Sequence, residues 1–236
     1  MTPNQITLLR VLLAFLAVAL FAAGGSGTWG GGWTSLSALA LTIAAVALDA
    51  LDGYIARRRQ LATPLGAQLD ILGDRVIEQL FFTYFAVSGL ISVWVPVFFF
   101  VRGTLTDFIR GLAVREGRAG FGRKSMMETW WGRALVASRG SRAAYGILKC
   151  VCFCYLGVQL VLLSALAPVI FQFDLQPIRG GIVLLGEILV GLTVAFCLVR
   201  GLPVLWEGRR YLERFAAARS SASARRSLRP AGVASR

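Results

Sequence analysis

Histidine is absent from all 236 residues, and cysteine occurs only four times. A histidine general base and histidine-ligated zinc are therefore excluded. Cys150, Cys152, Cys154 and Cys197 all fall in apolar stretches; spacing by two on a helix puts Cys152 across from Cys150 and Cys154, so the thiols do not converge on one metal and read as small apolar filler. Acid is scarce as well, with 12 Asp and Glu against 25 Lys and Arg, which leaves a formal net charge of +13. No alternation of the kind a β-barrel needs is present, and open sheet edges cannot lie in lipid, so strands are excluded.

What is abundant is apolar surface. Hydrophobic residues make up 56% of the chain against 16% charged, the mean hydropathy is +0.67, and the apolar runs approach or exceed the roughly 20 residues that cross a bilayer. The expectation is an all-α integral membrane protein with six transmembrane helices, near residues 8–23, 35–55, 69–90, 93–114, 144–171 and 181–205. Residues 1–207 form one bundle, and the basic tail 208–236, rich in Arg, Ala and Ser, reads as disordered or interfacial. Arg10 ahead of Phe21-Ala22-Ala23-Gly24 has the look of a secretory signal, but residues 2–9 carry no positive charge and five further spans follow. A retained first helix is expected, with Thr2-Pro3-Asn4 opening a short interfacial segment that sets Arg10 near the headgroups.

The basic residues orient this bundle. Arg57, Arg58 and Arg59 follow the second span; Arg115, Arg118, Arg123, Lys124, Arg133, Arg139 and Arg142 lie between the fourth and fifth; eight arginines fill the tail from Arg209 to Arg236; the opposite loops hold only Arg179. The positive-inside rule then places both termini and the loop after Arg57 in the cytoplasm, as for a bacterial inner-membrane protein. Nucleic acid is not an expected partner, because no stacking platform or groove-entering module accompanies the arginines. Anionic membrane lipids are the simpler one.

Seven of the twelve acids lie within or beside the spans: Asp49, Asp52, Asp70, Asp74, Glu78, Asp107 and Glu187. Each would cost on the order of 2.5–3.5 kcal/mol alone at a helix centre. A cluster therefore implies a compensating cation. Residues 49–74 read D-x2-D-G-x2-A-R-x8-G-x3-D-x3-D, and spacings of three and four bring each carboxylate pair onto one helical face. Oxygen donors of this kind suit Mg²⁺ or Mn²⁺, which leave coordination positions open for phosphate. Gly53, Ala56 and Gly66 remove side-chain bulk where a nucleotide would lie against backbone, and Arg57 offers a planar fork to a phosphate. The plainer reading is that the small residues pack helices and Arg57 marks the cytoplasmic edge. Eight fixed positions, however, coincide by chance on the order of 10⁻¹⁰ per starting point.

That motif resembles, position for position, the one that marks the CDP-alcohol phosphatidyltransferase family, and the lead-in Pro3-Asn4-Gln5-Ile6-Thr7-Leu8-Leu9-Arg10 is similar to the family's as well. The resemblance implies transfer of a phosphatidyl group from CDP-diacylglycerol to an alcohol, with release of CMP. It implies that Asp49, Asp52, Asp70 and Asp74 hold the metal and that Asp52, Gly53, Ala56, Arg57 and Gly66 hold the CDP moiety. Asp74 takes the role of general base. Family members are often homodimers, so a second copy is an expected partner.

For the acceptor, Arg102 and Arg110 are eight residues apart in the fourth span and lie within about 40° of one helical face. Buried arginines need an anion. Relatives that accept a phosphorylated alcohol bring arginines from this region to its phosphate, which makes Arg102, Arg110, Arg133, Arg139, Arg142 and Lys149 candidates. Glycerol 3-phosphate is the expected acceptor, as in the phosphatidylglycerophosphate synthase branch; an inositol phosphate, serine or another small alcohol are the alternatives. A reading of a different class is a cation or proton transporter using intramembrane carboxylates, against which stand the lack of an internal repeat and the position of the acids toward one membrane side. Glu78, one turn beyond Asp74, is placed to tune its charge, whereas Glu187 has no partner recognisable in the sequence.

Overall fold

The computed structural model describes residues 3–25, 31–59, 64–115, 126–163 and 176–227, and among them every regular element is helical. In chain order these are α1 (Pro3–Gly25), α2 (Gly31–Arg59), α3 (Pro64–Val87), α4 (Trp94–Arg115), α5 (Trp130–Gly132) running into a π-helical turn (Arg133–Ala137), α6 (Arg139–Leu163), and α7 (Arg179–Ser227), which follows a 3₁₀ turn (Gln176–Ile178). Proline opens both α1 and α3, the position where its missing N–H breaks no helical bond. Gly89, at φ +77°, ends α3, and the Leu90 N–H donates back to the Phe85 carbonyl at 3.0 Å.

Three helical stretches are long and apolar enough to cross a membrane: Asn4–Gly24, Gly140–Leu163 and Arg179–Phe215; α2 contributes the shorter apolar run Trp33–Asp49. These mark an integral membrane protein. Helices α3 and α4 have 24 and 22 residues, enough at about 1.5 Å each to cover roughly 30 Å of hydrocarbon. Their charges set them apart: α3 carries Asp70, Asp74, Arg75 and Glu78, and α4 carries Arg102, Asp107 and Arg110.

Three boundaries differ from those read in the sequence. Helix α1 is unbroken from Pro3, with no separate interfacial lead-in among the described residues, because nothing in Asn4–Gly24 interrupts helical hydrogen bonding. Helix α6 starts at Arg139, ahead of the expected residue 144, while residues 164–171 lie outside the described residues. Helix α7 continues without a break through residues 207 and 208 as far as Ser227; the Ala and Arg content that suggested a disordered tail is also strongly helix-forming. Residues 228–236 lie outside the described residues.

The chain forms two compact units, residues 1–100 with 145–196, and residues 101–144 with 197–236. In the first, α1 packs along α2 and α3, and an aromatic core joins α3, α4 and α6. Phe82 lies 4.5 Å from Phe99 and 4.9 Å from Phe153 between ring centroids, and Phe81 lies 5.3 Å from Phe153. In the second, Ile109, Leu112 and Ala113 of α4 pack with Met126, Met127 and Val136 and with Val204 and Tyr211 of α7.

Candidate metal and substrate site

The carboxylates of the first unit are brought together by a close helix crossing. Gly73 lies between Asp70 and Asp74 on α3, and a Cβ there would come within 2.8 Å of the Thr7 methyl on α1. Without that Cβ, α1 can press against the acidic face of α3. One turn past Thr7, Arg10 then reaches across. Its Nη2 stands 2.6 Å from Asp49 Oδ1 of α2 and 3.0 Å from Asp74 Oδ1, and its Nη1 3.4 Å from Asp70 Oδ1.

Asp49, Asp70 and Asp74 each present a carboxylate oxygen within 4.8 Å of the others, the one such group of metal-ligating side chains among the described residues. Their side chains are 41%, 52% and 45% exposed, whereas that of Arg10 is 4% exposed. The trio is thus open on one side and closed by a guanidinium on the other. Hard carboxylate oxygens this close together fit a divalent cation such as Mg²⁺ or Mn²⁺.

Arg10 is the residue whose role sequence reasoning missed. Expected only to lie near the headgroups, it is buried against the acids, where three carboxylates come within reach of one guanidinium. The signal available was an arginine inside an otherwise apolar run. Of the other motif residues, Asp52, Gly53, Ala56 and Arg57 continue the α2 backbone, and their side chains lie outside the described residues. Gly66 sits in the first turn of α3.

Glu78 finds its partner in α6. The Lys149 ammonium donates to Glu78 Oε2 at 2.6 Å, Arg75 approaches Glu78 Oε1 at 3.5 Å, and Lys149 also lies 4.9 Å from the centre of the Tyr145 ring. Lys149, a candidate for the acceptor phosphate, is therefore engaged by a buried acid. Glu187 is exposed on α7.

In the second unit, α7 anchors the segment that carries the basic residues. Glu207, buried, accepts from the Glu128 N–H at 2.6 Å and from the Thr129 hydroxyl. Arg200 donates to the carbonyls of Leu135 and Val136 at 2.9 and 3.4 Å and to the Ser141 hydroxyl at 2.5 Å, and Tyr211 donates to the Met126 carbonyl at 3.3 Å. Within this frame Arg133 Nε donates to the Met127 carbonyl and Arg142 Nε to the Ser138 carbonyl. Arg110 pairs with Asp107 at 3.1 Å, one turn away on α4. The Arg139 side chain lies outside the described residues.

Arg102 is different. It is 7% exposed, its Nε has no hydrogen-bond partner among the described residues, and it lies against Gly201, where a Cβ would stand 2.8 Å from that Nε. An orphaned buried N–H is costly, and Arg10 and Arg110 each carry one at Nε too, but both of those arginines also have a carboxylate partner.

The described residues form a helical membrane protein with a solvent-open aspartate trio that fits a divalent cation. More narrowly, the chain belongs to the CDP-alcohol phosphatidyltransferase family, whose model matches residues 1–199. It is 40% identical over 75 residues to a CDP-diacylglycerol–glycerol-3-phosphate 3-phosphatidyltransferase of Pseudomonas fluorescens, a match covering 32% of this chain and 35% of the relative. It is 36% identical over 75 residues to a CMP-forming cardiolipin synthase of Oryza sativa subsp. japonica, covering 32% of this chain and 21% of that one. The matched stretch thus spans about a third of the first relative's length and a fifth of the second's.

Proposed function

We propose that this protein transfers a phosphatidyl group from CDP-diacylglycerol to a phosphorylated small alcohol, with glycerol 3-phosphate as the acceptor, and releases CMP. The observation that carries the reading is the convergence of Asp49, Asp70 and Asp74 inside a motif that also places Asp52 one turn from Asp49. Family membership and the bacterial relative named for glycerol 3-phosphate support it. In this reading the chain crosses a bacterial inner membrane six times, as a homodimer with termini and site in the cytoplasm, and draws its lipid substrate from the surrounding bilayer.

Asp49, Asp52, Asp70 and Asp74 would hold a Mg²⁺ or Mn²⁺ ion, which when bound would supply charge withdrawal at the donor diphosphate. Gly53, Ala56 and Gly66 let the cytidine lie against backbone, and Arg57 grips a phosphate oxygen pair. Asp74 accepts the proton of the acceptor hydroxyl as its oxygen attacks the lipid-linked phosphorus. The bond from that phosphorus to the CMP oxygen breaks, and CMP leaves. Arg102 binds the acceptor phosphate, with Arg110, Arg133, Arg139 and Arg142 around it.

Purified protein in detergent, given CDP-diacylglycerol and a mixture of glycerol 3-phosphate, inositol phosphate, serine and glycerol, is expected to release CMP only with Mg²⁺ or Mn²⁺, and mass spectrometry should find phosphatidylglycerophosphate. Another phosphatidyl product would reassign the acceptor. Metal-independent cation flux through liposomes, without CMP, would instead favour a transporter.

Arg102→Ala is expected to raise KM for the acceptor about tenfold or more while leaving KM for CDP-diacylglycerol near its original value. An equal rise in both would remove Arg102 from the acceptor pocket.

A further inference from the structure

We infer that Arg10 is a positioning residue for the metal: it holds the three carboxylates from their buried side so that a divalent ion can be bound from the open side. The inference rests on reading the trio as the metal site. Its basis is a geometric asymmetry. All three contacts use the Oδ1 atom of each carboxylate, at 2.6 Å for Asp49, 3.4 Å for Asp70 and 3.0 Å for Asp74. The guanidinium that makes them is almost wholly buried, while the carboxylates are each about half exposed. Arg10 therefore engages one oxygen of each acid from a buried position, while part of each carboxylate stays open to solvent.

Three consequences follow from the charge and shape of that fork. The trio bears three formal negative charges and Arg10 one positive, so a net negative charge remains, to which Asp52 of the same motif adds, for a divalent cation to offset. Three carboxylates within 4.8 Å repel one another when no ion is bound, and a guanidinium spanning all of them keeps the set assembled. A planar fork also fixes their rotation, as hydrogen-bonded groups behind metal-ligating carboxylates do elsewhere, with losses of 10–100-fold in metal affinity when they are removed. A lysine has one compact ammonium and cannot span three acids in the same way.

The position is itself held by the α1–α3 crossing. Thr7, buried one turn before Arg10, packs where Gly73 lacks a side chain. The first helix is thereby part of the metal site although it contributes no ligand.

The test is Mn²⁺ binding to the full-length protein in detergent, without lipid substrate, followed by electron paramagnetic resonance. Wild type is expected to bind Mn²⁺, and Arg10→Gln to bind it 10–100-fold more weakly, with size-exclusion elution and melting in Mn²⁺-saturated buffer showing a folded protein. Should Arg10→Gln fail to fold, Arg10→Lys, which keeps the charge, serves in its place and is expected to bind several-fold more weakly than wild type. Unchanged affinity in the folded variant would overturn the inference, and tighter binding would do so too by showing that Arg10 competes with the ion. Absence of Mn²⁺ binding to wild type is a separate outcome, since it would remove the metal reading itself.

Discussion

Replacing Asp74 by asparagine is expected to lower kcat about a thousandfold while the protein stays folded and still binds CDP-diacylglycerol. The amide is nearly isosteric with the carboxylate and can remain beside Arg10, which now lies 3.0 Å from Asp74 Oδ1. What it loses is the capacity to take a proton from the acceptor hydroxyl, a contribution of typically 10²–10⁴-fold. The fall should appear equally in kcat and kcat/KM, as for an interaction made only in the transition state. Stopped-flow or quench measurements of CMP release, set beside binding of the donor to the variant, check this. Activity within tenfold of wild type would assign the base elsewhere. Loss of donor binding would instead make Asp74 chiefly a ligand.

The second large effect is on stability. Glu78→Ala is expected to destabilise the protein by about 3–5 kcal/mol, since it strands Lys149 without the acid that lies 2.6 Å away and is itself 4% exposed at the side chain. Exchanging both members for neutral groups, Glu78→Gln with Lys149→Met, should recover most of the loss, because the closely paired charges are removed together and Arg75, the other neighbour of Glu78, is partly exposed. Thermal unfolding in detergent of wild type, both single variants and the double variant gives the coupling directly. Additive losses would show that the pair contributes no coupling of its own.

These effects divide along a line that also separates what was legible in the sequence from what was not. The aspartates were legible because helical spacing alone puts Asp70 and Asp74 on one face, and a helix-ending basic run after Asp49 suggests the turn back. Their partner was not. Arg10 meets Asp70 and Asp74 across 60 and 64 residues, and a single arginine near the start of an apolar run has a cheaper default in the headgroups. The same limit hid Lys149 from Glu78, 71 residues away, and Glu207 from Thr129, 78 residues away. In each case residue type announced that a buried charge needed compensation, while the identity of the compensating group depended on which helices cross.

The helical character was legible in a similar way. Among the described residues the expected stretches fall on helices, three of them long and apolar enough to cross a membrane, while α3 and α4 carry the charges of the proposed site and so lack the uniform apolar character of α1, α6 and α7. No element was expected between the fourth and fifth spans, whereas α5 and the π-helical turn form there, tied down by Glu207 and Arg200 of α7. The start of α6 at Arg139 follows from the same anchoring, with the Ser138 hydroxyl accepting from the Ser141 N–H at 3.2 Å.

Helix α7 has 49 residues, with Pro203 inside it, a contour of about 74 Å at 1.5 Å per residue, more than twice the thickness of the hydrocarbon layer. Beyond its apolar turns it carries Arg209, Arg210 and Arg214 exposed on its surface, with Arg209 over the Trp206 ring and Arg210 held 2.6 Å from Glu128. A floppy tail would have to surrender conformational freedom each time its cations gathered around an anion. Here that loss falls at folding, once, and Arg210 has already found an anion in the Glu128 carboxylate.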